Sequence, residues 1–200
     1  MQKKPFPHDL DLDGWFVRRI HPIKAVMRII FGIFWLIDGI FKFSPVLAQA
    51  FPTMVKGAAY GQPAWLAGWF SGWSSIVSSN PAFFVYSTGI VEVFLAFCII
   101  AGFMRKTSYA VTFFVSLLIW SVPEGFGGPY GPGSTDIGTG IVYALTSFLL
   151  LIINAIFGPS KYSLDYWIEK KFPRWRVIAE VSSKYKCDAS TPNLSNVSDS

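Results

Sequence analysis

Residues 82–103 read AFFVYSTGIVEVFLAFCIIAGF, an apolar run interrupted by one charge, Glu92. About twenty consecutive apolar residues make a helix long enough to cross the hydrocarbon of a bilayer. Three further runs of this kind stand at 23–43, 107–122 and 137–157. A soluble fold of 200 residues cannot bury four such runs in one core. Composition points the same way: 52% of residues are hydrophobic and 14% are charged, with 19 Phe and 8 Trp. Ordinary soluble domains are about a quarter charged. The pattern predicts an all-α membrane protein, a four-transmembrane-helix bundle occupying residues 23–158.

The cations set an orientation. The chain has 17 Lys and Arg and a net charge of +5. That charge gathers near the ends of the runs, which is a topology signal and gives no reason to expect nucleic acid. With the N-terminus inside, fifteen of the cations lie on the inner side and only Lys42 and Lys56 on the outer side. Four spans keep both basic tails, 1–22 and 159–200, in the cytoplasm. The first apolar run follows some twenty polar residues and precedes no small-residue cleavage site, so it is expected to stay as an anchor. The expected location is the cell membrane, with several passes.

The outer connection 44–81 carries Trp65, Trp69 and Trp73, four residues apart and so on one helix face. It is expected as an interfacial helix, as a helix folded over the bundle, or as an ordinary packed loop. The second outer connection, 123–136, reads PEGFGGPYGPGSTD, a succession of turns. It lacks the Gly-Lys-Ser/Thr of a phosphate loop. Asp136 is expected to cap the fourth helix. After that helix, Leu164, Trp167, Ile168 and Phe172 recur at helical spacing among cations, which predicts a second interfacial helix over 161–176. The Ser-rich end is expected to be disordered. Its Asn193 and Asn196 triplets fall on the expected cytoplasmic side and are read as chance matches for glycosylation.

Ionisable side chains inside spans cost about 2.5–3.5 kcal/mol each, so they mark the places where chemistry is to be sought. Asp38 and Lys42, four apart, meet on one face of the first helix. Glu92 sits mid-span without a neighbouring cation in sequence, the setting in which a carboxyl can hold a proton. Glu124 and Asp136 bracket the Gly/Pro connection. These five groups are expected to converge in the outer half, either as a network that fixes packing or as a site handling protons or anions. The only histidines, His8 and His21, lie in the N-terminal tail, and the cysteines, Cys98 and Cys187, form no redox pair. No metal or haem is therefore expected on this chain alone. Redox work would need a diffusible organic cofactor or a partner.

Two stretches carry a resemblance. Residues 28–43, RIIFGIFWLIDGIFKF, resemble the first helix of the DoxX/DoxD family of small membrane proteins. Residues 123–140, PEGFGGPYGPGSTDIGTG, resemble that family's outer loop and the start of its fourth helix, and Glu92 fits the family's second helix. The likeness covers roughly 24–158 and is closest to the DoxD-like subunit of thiosulfate:quinone oxidoreductase. It implies oxidation of thiosulfate to tetrathionate with electrons passing to membrane quinone, together with a small DoxA-like partner subunit. The alternative it implies is an accessory, non-catalytic subunit of a terminal quinol oxidase. In the first case Glu92, Asp38 and Glu124 exchange protons, and Trp35 and Trp120 line a quinone cleft. Thiosulfate would meet Lys42, Asp136 and a nest of backbone N–H groups at Gly127 and Gly128.

Overall fold

The structure, a computed structural model, describes residues 12–128 and 137–181, with side chains from Arg19 onward. Among the described residues the chain is helical and has no strand. Four long helices make the body: α1 (Leu12–Phe41), α4 (Pro81–Ala101), α5 (Arg105–Ser121) and α6 (Thr139–Phe157). Two shorter helices, α2 (Pro45–Ala58) and α3 (Ala67–Ser79), fill the connection between α1 and α4. After α6 come α7 (Leu164–Lys171) and α8 (Arg176–Ala179).

The direction of each long helix follows from its close contacts. A Cβ placed on Gly32 would meet Ile100, one on Gly39 would meet Val93, and one on Gly89 would meet Lys42. Numbers rise on α1 as they fall on α4, so the two run antiparallel. Glycine at these points lets the backbones close up, as in small-residue helix seams. Gly140 of α6 presses on Trp120 and Ser116 of α5, while Phe113 meets Phe148, again antiparallel. Tyr143 of α6 packs with its ring tilted against that of Trp35 of α1, and Lys24 reaches Gly158. The result is a bundle in which successive long helices alternate in direction.

The bundle is apolar outside and partly polar inside. Ile33, Phe34 and Ile37 of α1, Phe94 and Phe97 of α4, Phe114 of α5 and Leu149 of α6 are exposed. Ser108, Thr112 and Ser116 of α5 and Ser147 and Asn154 of α6 are buried. A water-soluble bundle shows the reverse. Two of the four long helices, α4 and α6, are long and apolar enough to cross a membrane by length and composition. By contrast, α5 has 17 residues, and α1 carries Lys24, Arg28 and Asp38 within its length.

Helix ends are held by specific side chains. Asn80 caps α4, accepting from Phe83 N at 3.2 Å, and Pro81 starts the helix where no N–H is needed. α4 stops at Gly102, whose φ is +67°. Gly102 N donates to Ile99 O and Phe103 N to Cys98 O, the paired bonds of a Schellman turn. Arg28 of α1 donates to Ile100 O at 3.2 Å and Tyr162 O at 2.8 Å, and Lys24 donates to Gly158 O. Cations thus meet the negative ends of α4 and α6.

Two expectations change in form. The first connection contains two helices folded over the end of the bundle, because α2 and α3 pack on each other through Val55 and Val77 and on Val122, which directly follows α5. The helix expected over 161–176 is broken at Pro173 into α7, a 3-10 turn and α8. Asp165 and Glu169 of α7 are buried, so one face of it is a protein contact and cannot lie in lipid.

Candidate functional site

The antiparallel register of α1 and α4 builds the site. Lys42 lies opposite Gly89, and Gly39 lies opposite Glu92. A side chain at either glycine would push the helices apart. With glycine there, Lys42 extends across to α4. Its Nζ sits 3.1 Å from Asp38 Oδ2 on its own helix and 3.1 Å from Glu92 Oε2. Glu92 is fully buried, and its Oε1 has no hydrogen-bond partner among the described residues. Glu92 lacks a cation in its own sequence neighbourhood, but the fold supplies one from α1. Lys42 is therefore committed to two carboxylates, and the three side chains together carry one net negative charge when all are ionised.

Beside this cluster opens a cavity of about 500 Å³. Asp38, Lys42, Glu124 and Thr139 form its polar end. Phe51 and Met54 of α2, Trp73 of α3, Phe84 of α4 and Ile119 of α5 are among its apolar walls. Met54, Val91 and Leu118 line it and are also exposed on the flank of the molecule. A second, apolar groove of about 460 Å³ lies against α5 between Trp69, Phe114 and Trp120 and shares Leu118 with the first. Tyr143 lies within electrostatic range of Asp38, Lys42 and Glu92.

Several expected residues do meet: Asp38, Lys42 and Glu92 form one cluster, and Glu124 shares the cavity with two of them. Others are placed differently. Glu124 caps α6, accepting from Gly140 N at 2.9 Å and from Thr139 Oγ1 at 2.5 Å. The N-cap role expected of Asp136 is thereby filled from the end of α5, and Asp136 itself lies outside the described residues. Gly127 N donates to Glu124 O at 2.8 Å and Gly128 N to Gly125 O at 3.0 Å. Those N–H groups close a 3-10 turn and do not form the expected anion nest.

The two tryptophans expected at a quinone cleft also move. Trp35 is 1% exposed and sits in the core with Phe31, Leu95 and Leu150, its ring 5.9 Å from Tyr143. Trp120 faces the second groove and donates to Ile137 O at 2.8 Å. The tryptophan that reaches the cavity is Trp73. Its signal was in the sequence, as one member of the Trp65, Trp69 and Trp73 stripe. That stripe divides in the fold. Trp65 is exposed, Trp69 donates to Ser121 O, and Trp73 turns inward.

A second polar centre occupies the opposite end and was not foreseen. Arg105, read from sequence as a boundary charge, is 2% exposed. It pairs with Asp165 at 3.0 Å, with Glu169 at 3.3 Å and with Glu180. Asp165 also accepts from Met104 N, Arg105 N and Trp175 Nε1. Burial raises the Glu180 carboxyl to about 7 against the pull of Arg105, with Glu169 adding to the rise. The spacing of Asp165 and Glu169, four apart on one face, was the available signal.

Among the described residues no group of three or more His, Cys, Asp or Glu side chains is placed to hold a metal ion. Comparison of the chain with known families, with curated proteins and with solved structures gives no match. The fold and site define an all-helical chain with two helices suited to a bilayer, a carboxylate–lysine cluster and an amphiphilic cavity beside it.

Proposed function

We propose that this chain is the membrane subunit of a quinone-linked oxidoreductase of the DoxX/DoxD type, with all four long helices crossing the cell membrane and both termini in the cytoplasm. The observation that carries the reading is the cavity beside Asp38, Lys42 and Glu124, polar at one end and walled by Trp73, Phe84 and Ile119. A quinone has the same division, two carbonyl acceptors on a flat ring and a long apolar tail. Lys42 supplies a donor for a carbonyl, and the carboxyls of Asp38, Glu92 and Glu124 supply sites for protons. The tail leaves past Leu118 along the groove at Trp69 and Phe114. Four exposed apolar helix faces support the four-span reading.

Thiosulfate is the electron donor that the family likeness implies. The overall change is two thiosulfate and one quinone, with two protons, giving one tetrathionate and one quinol. Two electrons leave the sulfur compound, a sulfur–sulfur bond forms, and the quinone takes both electrons and both protons. Lys42 already faces two carboxylates, so a dianion finds no free cation there. Thiosulfate therefore belongs on a partner subunit of the DoxA type, and the quinone on this chain.

The test is thiosulfate-dependent reduction of a quinone analogue by the chain purified in detergent together with the polypeptides it brings down. Activity that falls at least about tenfold in Glu92→Gln supports the proton role. No activity with or without partners would leave the second reading, an accessory subunit of a terminal quinol oxidase.

A further inference from the structure

The segment that follows α6 sorts its charges. Between residues 161 and 180 the sequence holds three acids, Asp165, Glu169 and Glu180, and five cations, Lys161, Lys170, Lys171, Arg174 and Arg176. Read as a string, this segment carries a net charge of only +2. In the fold the acids turn inward. Asp165 is 0%, Glu169 3% and Glu180 4% exposed, and all three meet Arg105. Arg176 is half-withdrawn beside Glu169, at 3.6 Å. Lys161, Lys170, Lys171 and Arg174 remain exposed, together with Leu164, Trp167 and Phe172. Lys170 Nζ stands 4.4 Å from the centre of the Tyr166 ring and 4.8 Å from that of Trp167.

The face shown outward is therefore cationic and apolar, and residues 161–181 add no exposed carboxylate to it. It cannot roll over. Asp165 is held by two backbone N–H groups at the start of α5 and by Trp175. We propose that this face binds the anionic headgroups of membrane phospholipids on the side of the bilayer where Arg105 lies. The inference rests on the membrane reading above. Lysines beside a negatively charged leaflet are drawn to it within a Debye length, while Trp and Leu settle at headgroup depth. An acidic protein segment would match the charge alone. The apolar side chains interleaved with the cations, at the end of two apolar helices, match a bilayer surface.

The full chain in detergent, titrated with phosphatidylglycerol or phosphatidylcholine and followed by native mass spectrometry, tests this. The wild type should retain phosphatidylglycerol about tenfold more tightly. The preference should weaken at about 0.5 M salt. It should vanish in Lys161→Gln/Lys170→Gln/Lys171→Gln/Arg174→Gln, which leaves the Arg105 contacts and the unfolding midpoint unchanged. Lys56→Gln, at the opposite end, should keep it. Equal retention of the two lipids by the wild type overturns the proposal, as does a preference that survives the fourfold change. Tighter binding of a poly-glutamate peptide than of phosphatidylglycerol overturns the choice of lipid. Recovery of the chain in the aqueous fraction without detergent overturns the membrane reading itself, a result distinct from a membrane-bound chain with no lipid preference.

Discussion

Lys42 decides the character of the outer cluster, and magnitudes show which of its two pairs matters. Asp38 is part-exposed and four residues away on the same helix, an arrangement worth about 0.5 kcal/mol. Glu92 is fully buried, and removing the partner of a buried charge costs about 3–5 kcal/mol. Lys42→Met is therefore expected to lower the thermal unfolding midpoint in detergent markedly, while Lys42→Met/Glu92→Leu recovers most of the loss. If the double variant is as unstable as the single one, the pair is not what Lys42 contributes. At the other end Glu180 gives a pH dependence. Its folded-state value, about 7, lies above the ordinary carboxyl value of 4.5, so the folded chain holds the proton more tightly. The stabilisation is full below about 4.5 and is lost as pH rises through about 7. Unfolding midpoints measured from pH 5 to 8 should fall for the wild type and stay flatter for Glu180→Gln.

At the scale of elements, the α4–α5 turn is the sharpest constraint. Gly102 has φ +67°, and a Cβ there would come within 2.7 Å of the Arg28 guanidinium carbon and the Ser163 Cβ. Backbone strain of about 1–3 kcal/mol adds to the clash. Gly102→Ala is expected to cost more than about 1 kcal/mol in detergent unfolding and to loosen Arg28 from Tyr162. An unchanged midpoint would contradict that. The same elements show what sequence carries. The long apolar runs gave α4, α5 and α6 to within two residues at each end, because span length is a one-dimensional property of the chain, whereas α1 begins at Leu12, eleven residues before its apolar run and inside the stretch expected as a tail. The Asp38–Lys42 pair was readable because i,i+4 neighbours lie within one helix. The Lys42–Glu92 pair needed the register between two helices, which rests on Gly39 and Gly89 lying opposite the right residues. The division of the Trp stripe and the burial of Asp165 and Glu169 depend on how short helices dock, and no local pattern encodes that.

Across the whole molecule two charged centres stand at opposite ends of a bundle that is apolar on its outer face. One end joins α1 and α4 through Lys42 and opens into a cavity. The other joins α5 to α7 and α8 through Arg105 and closes the structure. Chemistry is proposed at the open end because Glu92 retains an oxygen with no hydrogen-bond partner among the described residues, and its partner Lys42 lines the cavity. The claim that the cavity takes a quinone ring is tested most directly by photolabelling the purified chain with an azido-quinone and mapping the modified peptides. Label on peptides holding Trp73, Phe84 to Val91 and Val115 to Glu124, competed by unlabelled quinone and lost in Trp73→Ala, is the expected result. Label confined to the Trp35 region, or spread over the outer helix faces without competition, would contradict it.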